Sequence, residues 1–254
     1  LDLHRDPSLP RGYAAMLVTG HNEYWSLPMY RGTDAYLRAG GNLVVLSGYS
    51  VFWRVSFNAE GTVMECRKAD AAGQRVPLAR RGEAWHSQDG LRGGMLRECG
   101  FPGVDLIALD CLGFNAPGAP EQFGPYVVTD PEHFLFREPE NLGLRAGDTF
   151  GSAGDGIRLA NAHEFDIRPS TFLRLQEKPP PEGGRVPPDP AGIRLLANGQ
   201  VFWKKGGSAF DYFFRPIKPK TDQGAEMIYW ERPVGGRVFN AGAIGSGWVL
   251  SVDS

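Results

Sequence analysis

Four polar side chains stand in a row at His21-Asn22-Glu23-Tyr24, inside "GHNEYW" and directly after the apolar run "AAMLV". On a turn, His21 and Glu23 can project into the same space. An imidazole beside a carboxylate can hold a metal ion, or act as a general acid or base next to a single ligand. The same residues also suit a plain helix start, where a glutamate in the first turn favours the macrodipole and the histidine bonds locally. A second group, "NAHEFD" at 161–166, carries His163, Glu164 and Asp166. It offers a base or further ligands; the bland reading is a solvated loop whose Glu164 pairs with an arginine. Tyr49, Phe52 and Trp53 in "GYSVFWR" could line a pocket that opens on the first group, or pack as ordinary core. His86 in "GEAWHSQDG" reads as a surface histidine on a polar loop.

These residues need elements to place them. Residues 13–19 read as a short buried strand that Gly20 ends. Ser26 is a candidate N-cap with Pro28 in the first turn. Met29, Tyr30, Tyr36 and Leu37 recur at helical spacing, and "AGG" at 39–41 stops the helix. "NLVVLSG" at 42–48 is a second buried strand. Strand, turn, helix, strand is a crossover for a parallel pair, which places "GHNEYW" at a strand's carboxyl end, where open parallel sheets bind ligands. Strands at 50–57 and 62–68 pair across "NAEG", and 225–244 reads as a hairpin turning at "PVGG". A short helix is expected at 93–100, a strand at 104–114, and a helix at 130–136 capped by Asp130. "EKPPPEGGRVPPDPAG", 177–192, reads as a mobile Pro/Gly-rich loop.

Bulk composition excludes several classes. The 254 residues are 42% hydrophobic and 22% charged, enough for a buried core. A net charge of -2 leaves no basic footprint for nucleic acid or for anionic lipid. No apolar run approaches the roughly 20 residues of a membrane span. Cys66, Cys99 and Cys111 are odd in number and lack CxxC spacing, which favours a reducing, cytoplasmic setting and small core roles. There is no GxSxG elbow, no Walker A loop, no GxGxxG after a strand, and no Gly-flanked Cys or Ser nucleophile at the strand-to-helix turn. The polar start "LDLHRDPSLP" and the end "VLSVDS" suggest a piece of a longer subunit.

Taken in order and spacing, "VTGHNEYWS", "GGNLVVLSG", "FWRVSF", "MECRK", "AHEFD" and "GGRVFNAGAI" resemble the large (beta) subunit of N,N-dimethylformamidase and its relatives, most specifically over 18–67. The resemblance implies a single domain over 1–254 with a class I glutamine amidotransferase-like fold. That is a flavodoxin-like three-layer α/β sandwich with a mostly parallel sheet and additional β-hairpins, without the nucleophilic cysteine. It implies an amidohydrolase that splits a small N-substituted formamide into formate and an amine. It implies one mononuclear non-haem Fe3+ held by two tyrosines and a glutamate. By similarity Glu23 is that ligand, His21 the catalytic histidine and Glu164 the second catalytic carboxylate, with Tyr49 and Trp53 lining the substrate pocket. The implied partners are a small (alpha) subunit and a homo-oligomer of such heterodimers.

Two departures accompany it. The family's two tyrosine ligands lie upstream of "GHNEYW", which the resemblance places before Leu1, so within this chain Tyr24 or Tyr49 would have to substitute. Tyr49 also stands where family members carry a catalytic asparagine. The departures support a non-catalytic alternative, a glutamine amidotransferase-like domain that binds a ligand or partner. A third reading, His21 and Glu23 with His86 or His163 as an Fe(II) oxygenase triad, would need a barrel-like β fold.

Overall fold

The computed structural model describes residues 1–68, 84–114, 123–151, 161, 163–176, 180, 184–202, 209–213, 217–218 and 221–249. In chain order the strands and helices are α1 (Asp2–Arg5), β1 (Ala15–Thr19), β2 (Tyr24–Ser26), α2 (Leu27–Arg38), β3 (Asn42–Leu46), β4 (Trp53–Phe57) and β5 (Met64–Cys66). Then come α3 (Val104–Ile107), β6 (Cys111–Phe114), β7 (Phe123–Val128), α4 (Phe134–Arg137), β8 (Thr149–Phe150), β9 (Glu164–Ile167) and α5 (Pro169–Leu175). The last are β10 (Ile193–Val201), β11 (Ala209–Asp211), β12 (Gln223–Glu231), β13 (Arg237–Asn240) and α6 (Gly245–Val249).

The first crossover forms as its residues dictate. Ser26 Oγ accepts from Met29 N at 3.4 Å and caps α2, with Pro28 in the first turn. Leu27, Tyr30, Thr33, Tyr36 and Leu37 make the buried face of this helix. The connection returns the chain to β3, which pairs parallel to β1 with Thr19 opposite Leu46.

The expected mostly parallel sandwich is not what forms. The main sheet has seven strands in the order β1-β3-β13-β12-β10-β7-β8. Only β1/β3 and β3/β13 pair parallel; β12 is antiparallel to both β13 and β10, and β7 to both β10 and β8. Two three-stranded sheets, β2-β4-β5 and β11-β6-β9, flank it. One crossover does not make a doubly wound sheet: among the described residues only α2 is a long helix, so no further helices cover a parallel array. The sheet grows instead by antiparallel pairing along β10 and β12, nine residues each. Residues of β12 fill two cores. Ala225, Met227 and Tyr229 join one with Phe165, Phe172 and Leu196; Ile228 and Trp230 join the other with Leu37, Leu43 and Val45.

The hairpins β4/β5 and β12/β13 are present. Three local expectations differ. Strand β1 is a sheet edge, with Leu17 and Tyr13 exposed, since a continuous apolar run does not tell a central strand from an edge. Residues 104–107 form a helical turn, stopped by left-handed Ala108, before β6 starts. The helix near 130 begins at Phe134, capped by His133 rather than Asp130. Of the Pro/Gly-rich stretch 177–192, residues 177–179 and 181–183 lie outside the described residues; 184–192 carries no regular element. Asp189 there accepts from Ser170 N and Oγ, and Trp230 Nε1 donates to Ala191 O.

Candidate metal and acid–base site

The carboxyl ends of β1, β3 and β13 lie side by side, and three turns leave them at Gly20, Ser47 and Ala241. Gly20, at φ +65°, swings the chain out of β1. Ser47 Oγ donates to Gly20 O at 2.5 Å and ties the first two turns together. The backbone of the loop after β3 then clamps the first polar group. Val51 N donates to Asn22 O at 3.1 Å, and Phe52 N and Trp53 N to Glu23 O at 2.9 and 2.7 Å. From the other side β9 docks on the end of β13: Ile244 N donates to Glu164 O at 3.0 Å and Asp166 N to Gly242 O at 2.6 Å. Gly48 lies flat on the Glu164 carbonyl, where a Cβ would collide.

These contacts bring the two sequence groups together. His21 Nδ1 is 3.2 Å from Glu164 Oε2 and 3.6 Å from Glu23 Oε1. His163 Nε2 is 3.8 Å from Glu164 Oε1, and the two imidazoles meet edge-on at 6.4 Å. The His21 side chain is 58% exposed and those of Glu23 and Glu164 13% each, so the imidazole is the mouth and the carboxylates the floor. His21, Glu23 and Glu164 each offer one ligand atom within 4.8 Å of the others. Glu164 Oε2 is shut off from solvent and makes no well-aligned hydrogen bond among the described residues. One imidazole nitrogen and two carboxylates fit a hard or borderline cation.

Electrostatics follow from the crowding. Burial pushes the Glu164 carboxyl above its usual range, and the Glu23 charge adds to this against the opposing pull of His163 and His21. The Asp166 carboxyl, almost fully buried two residues along β9, is pushed well up, chiefly by burial. The backbone is strained here as well. Of four described non-glycine residues with left-handed φ, three flank the cluster: Tyr49 (57°), Val51 (54°) and His163 (53°). Such conformers cost about 1–3 kcal/mol each and gather at functional sites.

The remaining predicted residues fall in different places. Tyr49 is half-buried, and its phenol oxygen accepts from Trp53 Nε1 at 3.0 Å. Trp53 is buried behind it. Tyr24 turns to Lys68, whose ammonium donates to its hydroxyl at 3.1 Å and lies over the Trp53 ring. The tyrosines that the resemblance places before Leu1 lie outside the described residues. Leu1 itself has no part in the cluster. Its carbonyl accepts from His4 N and Arg5 N at 3.0 Å each and starts α1, and its side chain lies beside Gly61 in the β4/β5 turn.

His86 is not a surface residue: it is 1% exposed, and its Nδ1 sits 2.6 Å from Ser56 Oγ. Its loop folds back through His86 N to Leu91 O and buries the ring against Gly93. His86 is therefore no part of the cluster either. Cys66 and Cys99 are free thiols that burial pushes above the ordinary range, which suits core roles and not a nucleophile.

Asn161 was not singled out in the sequence, yet it anchors the "NAHEFD" segment. Its Oδ1 accepts from Ala225 N at 2.9 Å and its Nδ2 donates to Gly124 O at 3.2 Å. It fills a notch that exists because residue 199 is glycine. The available signal was the asparagine three residues before Glu164.

A sheet edge that gathers an imidazole and two carboxylates has the donor set for metal binding or acid–base chemistry. The chain matches the family described as "N,N-dimethylformamidase beta subunit-like, C-terminal" over residues 1–254, and it belongs to that family. The family is named for a subunit of a hydrolase. No curated protein gives a significant match. Among the described residues no helix is long and apolar enough to cross a membrane.

Proposed function

We propose that this chain carries the metal-holding and proton-moving side chains of an amidohydrolase that cleaves a small N-substituted amide, N,N-dimethylformamide-like, to a carboxylate and an amine. The observation that carries the reading is the convergence of His21, Glu23 and Glu164 at the carboxyl edge of the parallel strands, with one ligand atom of each within 4.8 Å of the others. Membership of a family named for a dimethylformamidase subunit supports the same class.

Glu23 would be a ligand of a mononuclear ferric ion. Such an ion, when bound, polarises an amide carbonyl and acidifies water. The chain's own groups move the protons. Glu164, whose raised affinity for protons suits a base, takes one from the attacking water as the new C–O bond forms. His21, at the solvent mouth, delivers one to the amine as the C–N bond breaks. The family's beta-subunit name supports work beside a small subunit in a larger assembly. Free thiols at Cys66 and Cys99 support a cytoplasmic setting. The non-catalytic alternative calls for no metal and a polar network of His21, Glu23 and Glu164 closed on itself, so metal content separates the two readings.

Metal analysis and amine release from N-substituted amides test the proposal. The expected result is near-stoichiometric iron in the wild type, lost in Glu23→Ala, with His21→Ala keeping iron but releasing no amine. Unchanged iron in Glu23→Ala, or no amine released by the wild type from any amide offered, would overturn it.

A further inference from the structure

We infer that Tyr49 is a catalytic hydrogen-bond donor, whose phenolic proton binds the carbonyl oxygen of an uncharged amide seated at the His21–Glu23–Glu164 cluster, with Trp53 as its positioning residue. The inference rests on the amidohydrolase reading and narrows its substrate class.

Placement comes first. The loop that carries Tyr49 is clamped to one carboxylate segment by Val51, Phe52 and Trp53 N–H groups on Asn22 and Glu23 carbonyls. It is pressed on the other where Gly48 lies on the Glu164 carbonyl, and Ser50 N reaches Asp166 Oδ2 at 3.4 Å. Tyr49 therefore leaves the backbone between the segments that carry Glu23 and Glu164. Its ring is held edge-on to Phe52 at 4.3 Å.

The hydroxyl's hydrogen-bond directions come next. The Trp53 indole donates to the phenol oxygen at 3.0 Å, which leaves the phenol to act as donor elsewhere. Its proton meets no acceptor among the described residues. Burial, with the Glu23, Asp211 and Glu164 charges adding to it, holds the phenol protonated against the Trp53 bond. The left-handed backbone at Tyr49, φ 57°, is the strain a positioned donor can justify.

The choice of ligand follows. A phenol that feels the Glu23 and Glu164 charges and has a proton to give suits the oxygen of an uncharged amide carbonyl. As water adds to the carbonyl carbon, electron density moves onto the oxygen, and the phenol hydrogen bond strengthens there. The amine then leaves with its proton, and the phenol keeps its own.

The test compares the wild-type holoprotein with Tyr49→Phe and Trp53→Phe. Tyr49→Phe keeps the ring and its packing. The expected loss is about 100-fold in kcat, the scale for one oxyanion donor, with KM changed far less. Trp53→Phe should lose less. The second readout is the infrared carbonyl band of bound 13C-carbonyl dimethylformamide. It should lie lower in the wild type than in Tyr49→Phe. An identical band in both proteins, or wild-type kcat in Tyr49→Phe, overturns the donor assignment. A Tyr49-dependent band in a wild type that hydrolyses no amide would sink the amidohydrolase reading and leave the donor standing. A wild type that binds no amide would overturn both.

Discussion

Glu164 and Glu226 are both glutamates of low exposure, on strands β9 and β12 that pack together, and their surroundings differ in every respect. Glu226 is saturated. It accepts from Arg168 N at 2.6 Å, Arg168 Nε at 3.0 Å, Arg168 Nη2 at 2.9 Å and Thr171 Oγ1 at 2.7 Å. Glu164 pairs with no arginine among the described residues; its neighbours are two histidines and a second carboxylate, and Oε2 stays unsatisfied. A buried charge is tolerable when paired and fully hydrogen-bonded, and costly when not. The fold meets that cost with an arginine and a threonine for Glu226, which joins α5 to the main sheet, and only with histidines for Glu164.

The largest expected effect lies on the structural side. Glu226→Ala removes the hydrogen-bonded partner of the Arg168 guanidinium, leaving it Asp189 at 3.6 Å, and should cost about 3 kcal/mol of stability, read as a drop in the urea midpoint. Glu164→Gln removes a like charge from beside Glu23 and should change stability by less than about 1 kcal/mol, in either direction. On activity the order inverts: Glu164→Gln should lose about 100-fold or more in kcat. If both variants destabilise equally, Glu164 is structural and the contrast collapses.

A second arginine pair sharpens the point. Arg97 Nη1 donates to Asp110 Oδ1 at 2.9 Å, but Asp110 Oδ2 is buried with no hydrogen-bond partner among the described residues. Burial outweighs the arginine and raises the Asp110 carboxyl to about 6. The folded chain then binds this proton more tightly than the unfolded chain does. Stability should therefore fall as pH rises from about 4 to about 6, and this group should add no further slope above that window. In Asp110→Asn that slope should be absent from unfolding measured across the same range; a slope equal to the wild type's would assign it elsewhere.

The legible parts of the molecule were local. The Ser26 cap, the α2 periodicity and the turn at Gly20 are written in contiguous residues, and so His21 and Glu23 were placed at a strand's carboxyl end from sequence. The global sheet was not legible. Residues 193–201 read "IRLLANGQV", and the Asn and Gly in the middle hide a nine-residue strand. Those same residues bend it: the pairing register shifts between Leu195 and Ala197 and again between Asn198 and Gln200. Gly199 is there to admit Asn161, a contact across the fold that no local pattern reveals. His86 failed for the same reason, since its burial depends on Ser56 and Gly93. For Glu164 the sequence left two readings open, an arginine partner or a functional cluster. The tertiary structure removes the arginine partner, by giving Arg168 to Glu226.

The smallest expected effect tests whether the strain belongs to the site. His163, next to Glu164, is held at φ 53°. The left-handed conformer costs a non-glycine residue about 1–3 kcal/mol, and glycine avoids this at an entropic cost of about 0.5–1 kcal/mol. His163→Gly should therefore stabilise the chain by about 1 kcal/mol, seen as a higher melting temperature, whereas His163→Ala keeps the strained backbone and should gain nothing. Among the described residues, saturated Glu226 has no left-handed neighbour of this kind, so the equivalent gain is not available on that side of the comparison. A His163→Gly variant that melts below His163→Ala would mean that the backbone at 163 is relaxed, and that the cluster is held by packing alone.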